Sequence, residues 1–171
     1  MALFKVNTGT REQEVCGLRW DWEVRLPETF ASSVFLIPNH RVKNREERLV
    51  VLNRIAQGVI EQCRGVHKTQ VFTYREQPVH SMNNSAWQHA RARAQMPQVR
   101  VHDLKHTFGR RLRAAGVSLE TRKVLLGHTT GDITSHYSAP ELRELIEAAN
   151  LVCEDRSRKS PELLVLKRRI G

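Results

Sequence analysis

VHDLKHTFGRRL, residues 101–112, governs how the second half of the chain is read. At about 100° per residue, Leu104, Phe108, Leu112 and then Ala115 fall on one stripe, the spacing of an amphipathic helix. His102, Lys105, His106 and Gly109 gather on a different face. Two histidines one turn apart suit a helical zinc site, and they equally suit a basic helix gripping a phosphate. They also suit plain packing and local hydrogen bonding. The zinc reading calls for Glu after the first His as general base. Asp103 stands there, one methylene shorter, and Lys105 sets an ammonium group one turn from the would-be metal. His128 or His136 would have to complete the ligand set.

Outward from this helix, Gly116 closes it and Ser118 caps the next, SLETRKVLL (118–126), which Gly127 ends. Ser138 to Glu141 form a capping box for ELRELIEAANLVC (141–153), whose Leu142, Leu145, Ile146 and Ala149 make one apolar stripe. Upstream, NNSAWQHARARAQ (83–95) reads as a basic helix. NRIAQGVIEQCRG (53–65) reads as an amphipathic one, with Ile55, Val59 and Ile60 on its apolar side and Gly65 as its stop. DWEVRL (21–26), SVFLIP (33–38) and RLVVL (48–52) are short runs rich in Val and Phe. Pro27, Pro38 and Asn39 separate them, which predicts strands. QVFTY (70–74) is one more extended piece. The first eight residues read as the end of a helix that Thr8-Gly9 breaks, and REQEVCGL (11–18) starts another. The expected fold is mainly α with a small antiparallel β-sheet near the start (α+β).

A chain of 171 residues, 40% of them apolar, fits one domain with a substantial core. No apolar run approaches the roughly 20 residues that a membrane span needs. The opening MALFKVNTGTREQE turns polar too soon for a signal peptide. Cys16, Cys63 and Cys153 are scattered, with no CxxC pair, and read as reduced thiols of a cytoplasmic protein. Lys and Arg outnumber Asp and Glu by 28 to 18, a formal charge of +10, which favours an acidic polymer as partner, most often nucleic acid. Arg91 and Arg93 on the basic helix, with Arg110, Arg111 and Arg113 after His106, are the candidate DNA-binding residues. Solvated charge is the bland alternative for each.

Further stretches join the opening one. TGTREQE (8–14) carries Arg11 with Glu14 three residues on, and LLGHTTGDITSHY (125–137) carries His128 and Tyr137. With His102 and Lys105, these resemble in order and spacing the signature of the tyrosine recombinases, the phage integrase family. That signature is an Arg in a T-G-x-R turn, a Lys on a β-hairpin, His-x-x-Arg, then L-G-His and a Tyr nucleophile. IPNHRVKNREERLVVL (37–52) supplies the hairpin lysine as Lys43. The likeness runs from about residue 7 to residue 150.

The resemblance implies site-specific DNA integration or recombination of the prophage type, by strand cleavage and rejoining through a 3′-phosphotyrosyl intermediate. It implies a catalytic set of Arg11, Lys43, His102, Lys105 and His128, with Tyr137 as nucleophile and Glu14 bracing the site. The partner is double-stranded DNA, bound by a homotetramer of the full-length protein, with no metal and no other cofactor. The residue types suit this chemistry. Attack by a phenol on a phosphodiester piles charge on the non-bridging oxygens, and fixed cationic donors stabilise that charge as it develops. An arginine offers two oxygens a planar fork, and histidines can donate hydrogen bonds or move protons near neutral pH.

Two departures stand out. Lys105 occupies the place of the family's second arginine and gives a point charge where the family has a fork. Arg11 also comes early, so residues 1–153 are expected to be an N-terminally incomplete catalytic domain lacking the family's DNA-clamping domain. Residues 154–171 are expected to be a C-terminal tail that packs on its own domain or docks on a neighbouring protomer. Three other readings stay open: a type IB topoisomerase, a catalytically weak DNA-binding remnant, and the zinc metalloprotease.

Overall fold

A computed structural model describes residues 1–42, 45–128 and 138–153. The first helix, α1 (Ala2–Thr8), ends where Gly9 turns left-handed at φ 64°, its N–H closing on the Lys5 carbonyl. A Cβ on Gly9 would stand 2.7 Å from Phe108 Cδ1 and 2.9 Å from Leu126 Cδ2. The turn therefore needs glycine for space as well as for φ. A short helix α2 (Glu12–Cys16) follows, then three strands, β1 (Glu23–Arg25), β2 (Ser33–Ile37) and β3 (Arg48–Val51). They pair antiparallel in the order β1-β2-β3, with Phe35 opposite both Glu23 and Val50. Helix α3 (Arg54–Cys63) is capped by the Asn53 side chain, which accepts from the Ala56 N–H. A two-stranded hairpin, β4 (Thr73–Tyr74) and β5 (Gln77–Pro78), leads to α4 (Ser85–Arg93). Three helices complete the described chain: α5 (Asp103–Ala114), α6 (Leu119–Leu126) and α7 (Ala139–Leu151). The architecture is mainly helical with a small antiparallel sheet, as the sequence predicts.

β2 and β3 are buried on both faces, and strand alternation sorts their side chains between two halves of the core. Phe35, Ile37 and Val50 pack with Phe4, Val15, Leu18 and Ile60, from α1 to α3. Val34, Leu49 and Val51 point the other way, to Phe108, Leu112, Leu125, Leu145 and Ile146 on α5, α6 and α7. The capping box expected at Ser138 is present, with Glu141 accepting from the Ser138 N–H at 2.6 Å. Cys16, Cys63 and Cys153 are free thiols, and burial pushes the Cys16 thiol up to about 11. Among the described residues no helix is long and apolar enough to cross a membrane.

One expectation for α5 needs correction. Its buried residues are Lys105, Phe108 and Leu112, while Leu104 and Ala115 are only half-buried. The buried stripe is rotated toward Lys105, because that lysine finds a hydrogen-bond acceptor inside the fold. Its side chain is buried where those of His102 and His106 are exposed, yet all three line one cavity.

The end of α6 shows how buried charge is accommodated. A helix leaves its last carbonyls without intrahelical partners. Arg48, only 3% exposed at the head of β3, donates to the Val124 and Leu125 carbonyls at 2.8 and 2.7 Å, and to Leu49 O at 2.7 Å. Gly127 ends the helix at φ 61°, and a Cβ there would meet Arg48 Nε at 2.4 Å. Gly127→Ala should therefore destabilise the chain by about 1–3 kcal/mol through left-handed strain and displacement of Arg48. Gly58→Ala, in mid-α3 with nothing within 4 Å of the new methyl, should stabilise it by about 0.5–1 kcal/mol. Urea titration of both variants checks the pair, and equal midpoints would show that the Arg48 cradle is slack.

Candidate active site

The α1–α2 turn positions Arg11. Lys5, fully buried, donates its ammonium to the Thr10 carbonyl, and the Thr8 and Thr10 hydroxyls pair at 2.9 Å. Arg11 then opens α2 in an extended conformation at φ −74° and ψ 160°. Glu14 takes two hydrogen bonds from it, 2.6 Å from the backbone N–H and 2.8 Å from Nη1. Burial by itself would raise the Glu14 carboxyl, but the charge of Arg48 and the hydrogen bonds from Arg11 hold it below the usual carboxylate range. Glu14 stays ionised and holds the guanidinium through these hydrogen bonds.

The other side of the site comes from α5 and α6. Lys105, 5% exposed, donates Nζ to the Leu126 carbonyl at 2.6 Å. Together with Arg48 it caps the last turn of α6, directly before Gly127 and His128. Burial lowers the Lys105 ammonium to about 7, and the positive charges of Arg48 and Arg11 push the same way. His102 and His106 meet edge to face, with ring centroids 4.6 Å apart. Burial first, then neighbouring cations, lowers the pKa of both His102 and His128. Both rings are therefore neutral at pH 7, able to donate one hydrogen bond and accept another.

Arg11, His102, Lys105 and His128, from separate parts of the sequence, line one cavity of about 370 Å³. Its lining also holds His106, Arg110, Arg113 and Arg122 and, among the described residues, no carboxylate. Such a lining selects an anion. The family pattern described as "Phage integrase family" matches residues 1–143. The chain belongs to the phage integrase family. It is 26% identical over 162 residues to the integrase of Salmonella phage P22, an alignment covering 87% of this chain and 41% of that protein. The chain thus spans less than half the length of this relative. No solved structure matches it.

Within this integrase-family chain, Lys43 and Tyr137 lie outside the described residues, as do His136 and the tail from 154. The connector between β2 and β3 carries Lys43 in sequence, as the hairpin reading requires. The candidate DNA-binding arginines divide. Arg110 and Arg113 line the cavity. Arg111 turns away and donates to the Val152 carbonyl. Arg91 donates to the Val99 carbonyl at 3.1 Å, and Arg93 is exposed at the end of α4. Neither α4 arginine is part of the cavity lining.

The zinc-protease reading fares poorly on geometry. Asp103, the would-be general base, is engaged by Arg100 at 3.0 Å and through the Arg100 N–H at 2.8 Å. Those hydrogen bonds hold its carboxyl down at about 2, far too acidic for a base near neutral pH. Among the described residues no three His, Cys, Asp or Glu side chains converge on one point.

Sequence reasoning missed three residues here: Lys5, Arg48 and Arg122. Arg122 carried a usable signal, standing one helical turn before Leu126 of the L-G-His stretch and so on the same face. A lone charge heading the apolar run RLVVL could have marked Arg48 as a buried anchor. Lys5 carried no such mark.

Proposed function

We propose that this chain is the strand-cleaving part of a site-specific DNA recombinase of the prophage type, acting through a 3′-phosphotyrosyl intermediate. The cavity where Arg11, His102, Lys105 and His128 converge, with no carboxylate among the described residues of its lining, supports this reading most directly. The free nitrogens of the Arg11 guanidinium hold the non-bridging oxygens of one phosphodiester, with Lys105 donating alongside. The Tyr137 oxygen attacks phosphorus and gives up its proton to a neutral histidine of the cavity, His102 or His128. The bond from phosphorus to the 5′-oxygen breaks, and Lys43 protonates that leaving oxygen. The phosphotyrosine keeps the bond energy, so a second 5′-hydroxyl can reverse the step. The full-length protein acts on double-stranded DNA as a homotetramer, residues 154–171 docking on a neighbouring protomer.

The engagement of Lys105 with a backbone carbonyl favours a second reading, a DNA-binding remnant that cuts poorly. One experiment separates the two. The chain is incubated with a pool of nicked duplexes of random sequence, so that a cut fragment diffuses away and traps the covalent complex. A denaturant-resistant adduct whose nucleotide maps to Tyr137 is expected. No adduct despite DNA binding would leave the remnant, and an adduct on another residue would overturn the assignment of the nucleophile.

A further inference from the structure

The cavity is longer than one phosphate requires. From His102 to Arg113 its α5 wall runs about 16 Å, at ~1.5 Å per residue. One backbone phosphate recurs every ~3.4 Å of duplex axis on each strand, so the wall passes several. The helices α5 and α6 are joined by only four residues, 115–118, and run back along each other. Gly109 marks their contact, since a Cβ there would lie 3.1 Å from Leu126 Cδ1. One turn from that contact toward the 115–118 connection stand Arg113 on α5 and Arg122 on α6, and both line the cavity together with Arg110. Arg122 anchors its Nε on the Ser118 carbonyl at 3.3 Å, which steadies the side chain and leaves its terminal nitrogens for a ligand. Arg19, Arg64 and Arg100 each pair with a carboxylate. Among the described residues none of Arg110, Arg113 and Arg122 has a carboxylate partner. Three arginines on one cavity lining with no carboxylate partner among the described residues make a positive surface that favours an anion.

We propose that Arg110, Arg113 and Arg122 form a second phosphate subsite, which seats a DNA backbone phosphate beyond the one held by Arg11, His102 and Lys105. The proposal rests on the DNA-cutting reading for its choice of anion. Arg122 gives this subsite a guanidinium fork on α6, on the wall facing Arg113. The subsite would set the register of the strand across the cavity, since a phosphate held on two helices fixes the backbone without reading sequence.

The test measures affinity for a short mixed-sequence duplex across a salt series, using the full 171-residue chain. Each lost phosphate contact should make the slope of log affinity against log salt shallower by about 0.9. Arg122→Gln and Arg113→Gln should each show that loss, and Arg122→Lys should restore part of it. Lys123→Gln removes the same charge from the next position of α6, outside the cavity lining, and should change the slope far less. Equal slopes for Arg122→Gln and Lys123→Gln would overturn the subsite, as would a parent chain that does not bind the duplex at low salt. The expected slopes without any covalent adduct would retire the cutting reading and leave the subsite standing. An adduct with equal slopes would do the reverse.

Discussion

Arg11→Ala should lower covalent-adduct formation on a cleavable nicked duplex by about 10²–10³-fold, the effect of removing one fixed donor from a developing oxyanion. Nη1 of Arg11 is occupied by Glu14 at 2.8 Å, so the rest of the fork is what remains for phosphate. The side chain is 29% exposed and Glu14 only 2%, the arrangement of a working cation on a buried brace. The alanine variant keeps the backbone N–H that donates to Glu14 at 2.6 Å, so the turn itself should survive. Glu14→Gln should lose less, because the arginine remains and only its orientation slackens. Arg11→Lys should fall between parent and alanine, keeping charge without the fork. Rates are compared at saturating DNA on protein shown to be folded by circular dichroism. An Arg11→Ala chain that cuts as fast as its parent would remove Arg11 from the chemistry.

Much of this fold was legible because its signals are local. Ser118, Ser138 with Glu141, Gly116 and Gly127 mark helix ends through hydrogen bonds made within a few residues of themselves. The three main strands were legible from their Val and Phe content, and burial of β2 and β3 on both faces explains why those two read as nearly continuous apolar runs. The hairpin partner β5, two residues around Pro78, carries no such pattern. What the sequence hid was the fate of its buried charges. Lys5, Arg48 and Lys105 look like surface residues by type. Each is buried because backbone carbonyls accept from it: Thr10 from Lys5, Val124 and Leu125 from Arg48, and Leu126 from Lys105. The acceptors of Arg48 and Lys105 come within reach only once α6 has packed against β3 and α5, a tertiary event without a local signature. The same is true of the cavity. Motif spacing named Arg11, His102, Lys105 and His128, but Arg122 joins them only through the Gly109–Leu126 contact.

Lys105→Ala should also cost about 10²–10³-fold in adduct formation, while Lys105→Arg should keep activity and change its response to pH. In the free chain the Lys105 ammonium is lowered to about 7 by burial and by Arg48 and Arg11, with Lys5 adding to them and Glu14 opposing. A lysine lowered in this way is charged below about pH 7 and loses its proton as pH rises through that value. A phosphate in the cavity brings negative charge and raises the pKa, so DNA binding above pH 7 takes up a proton. Affinity should then be flat with respect to this group below about 7 and weaken above it, by at most about tenfold per pH unit for one proton. An arginine does not lose its proton in this range, so Lys105→Arg should flatten that slope. Any remainder belongs to Lys5, lowered to about 8 and held on Thr10. Stability follows the same linkage in the opposite sense. The folded chain releases the Lys105 proton near 7 and the unfolded chain near 10.5, so stability rises with pH between those values, and Lys105→Met should cut the rise back to the share of Lys5, lowered to about 8. Adduct yield, duplex affinity and urea midpoints for the parent and these variants across that pH range provide the comparison. Should Lys105→Ala cut like the parent, or the parent's affinity prove as flat as the arginine variant's, the lysine holds only the Leu126 carbonyl and the phosphate is carried by Arg11 and its neighbours.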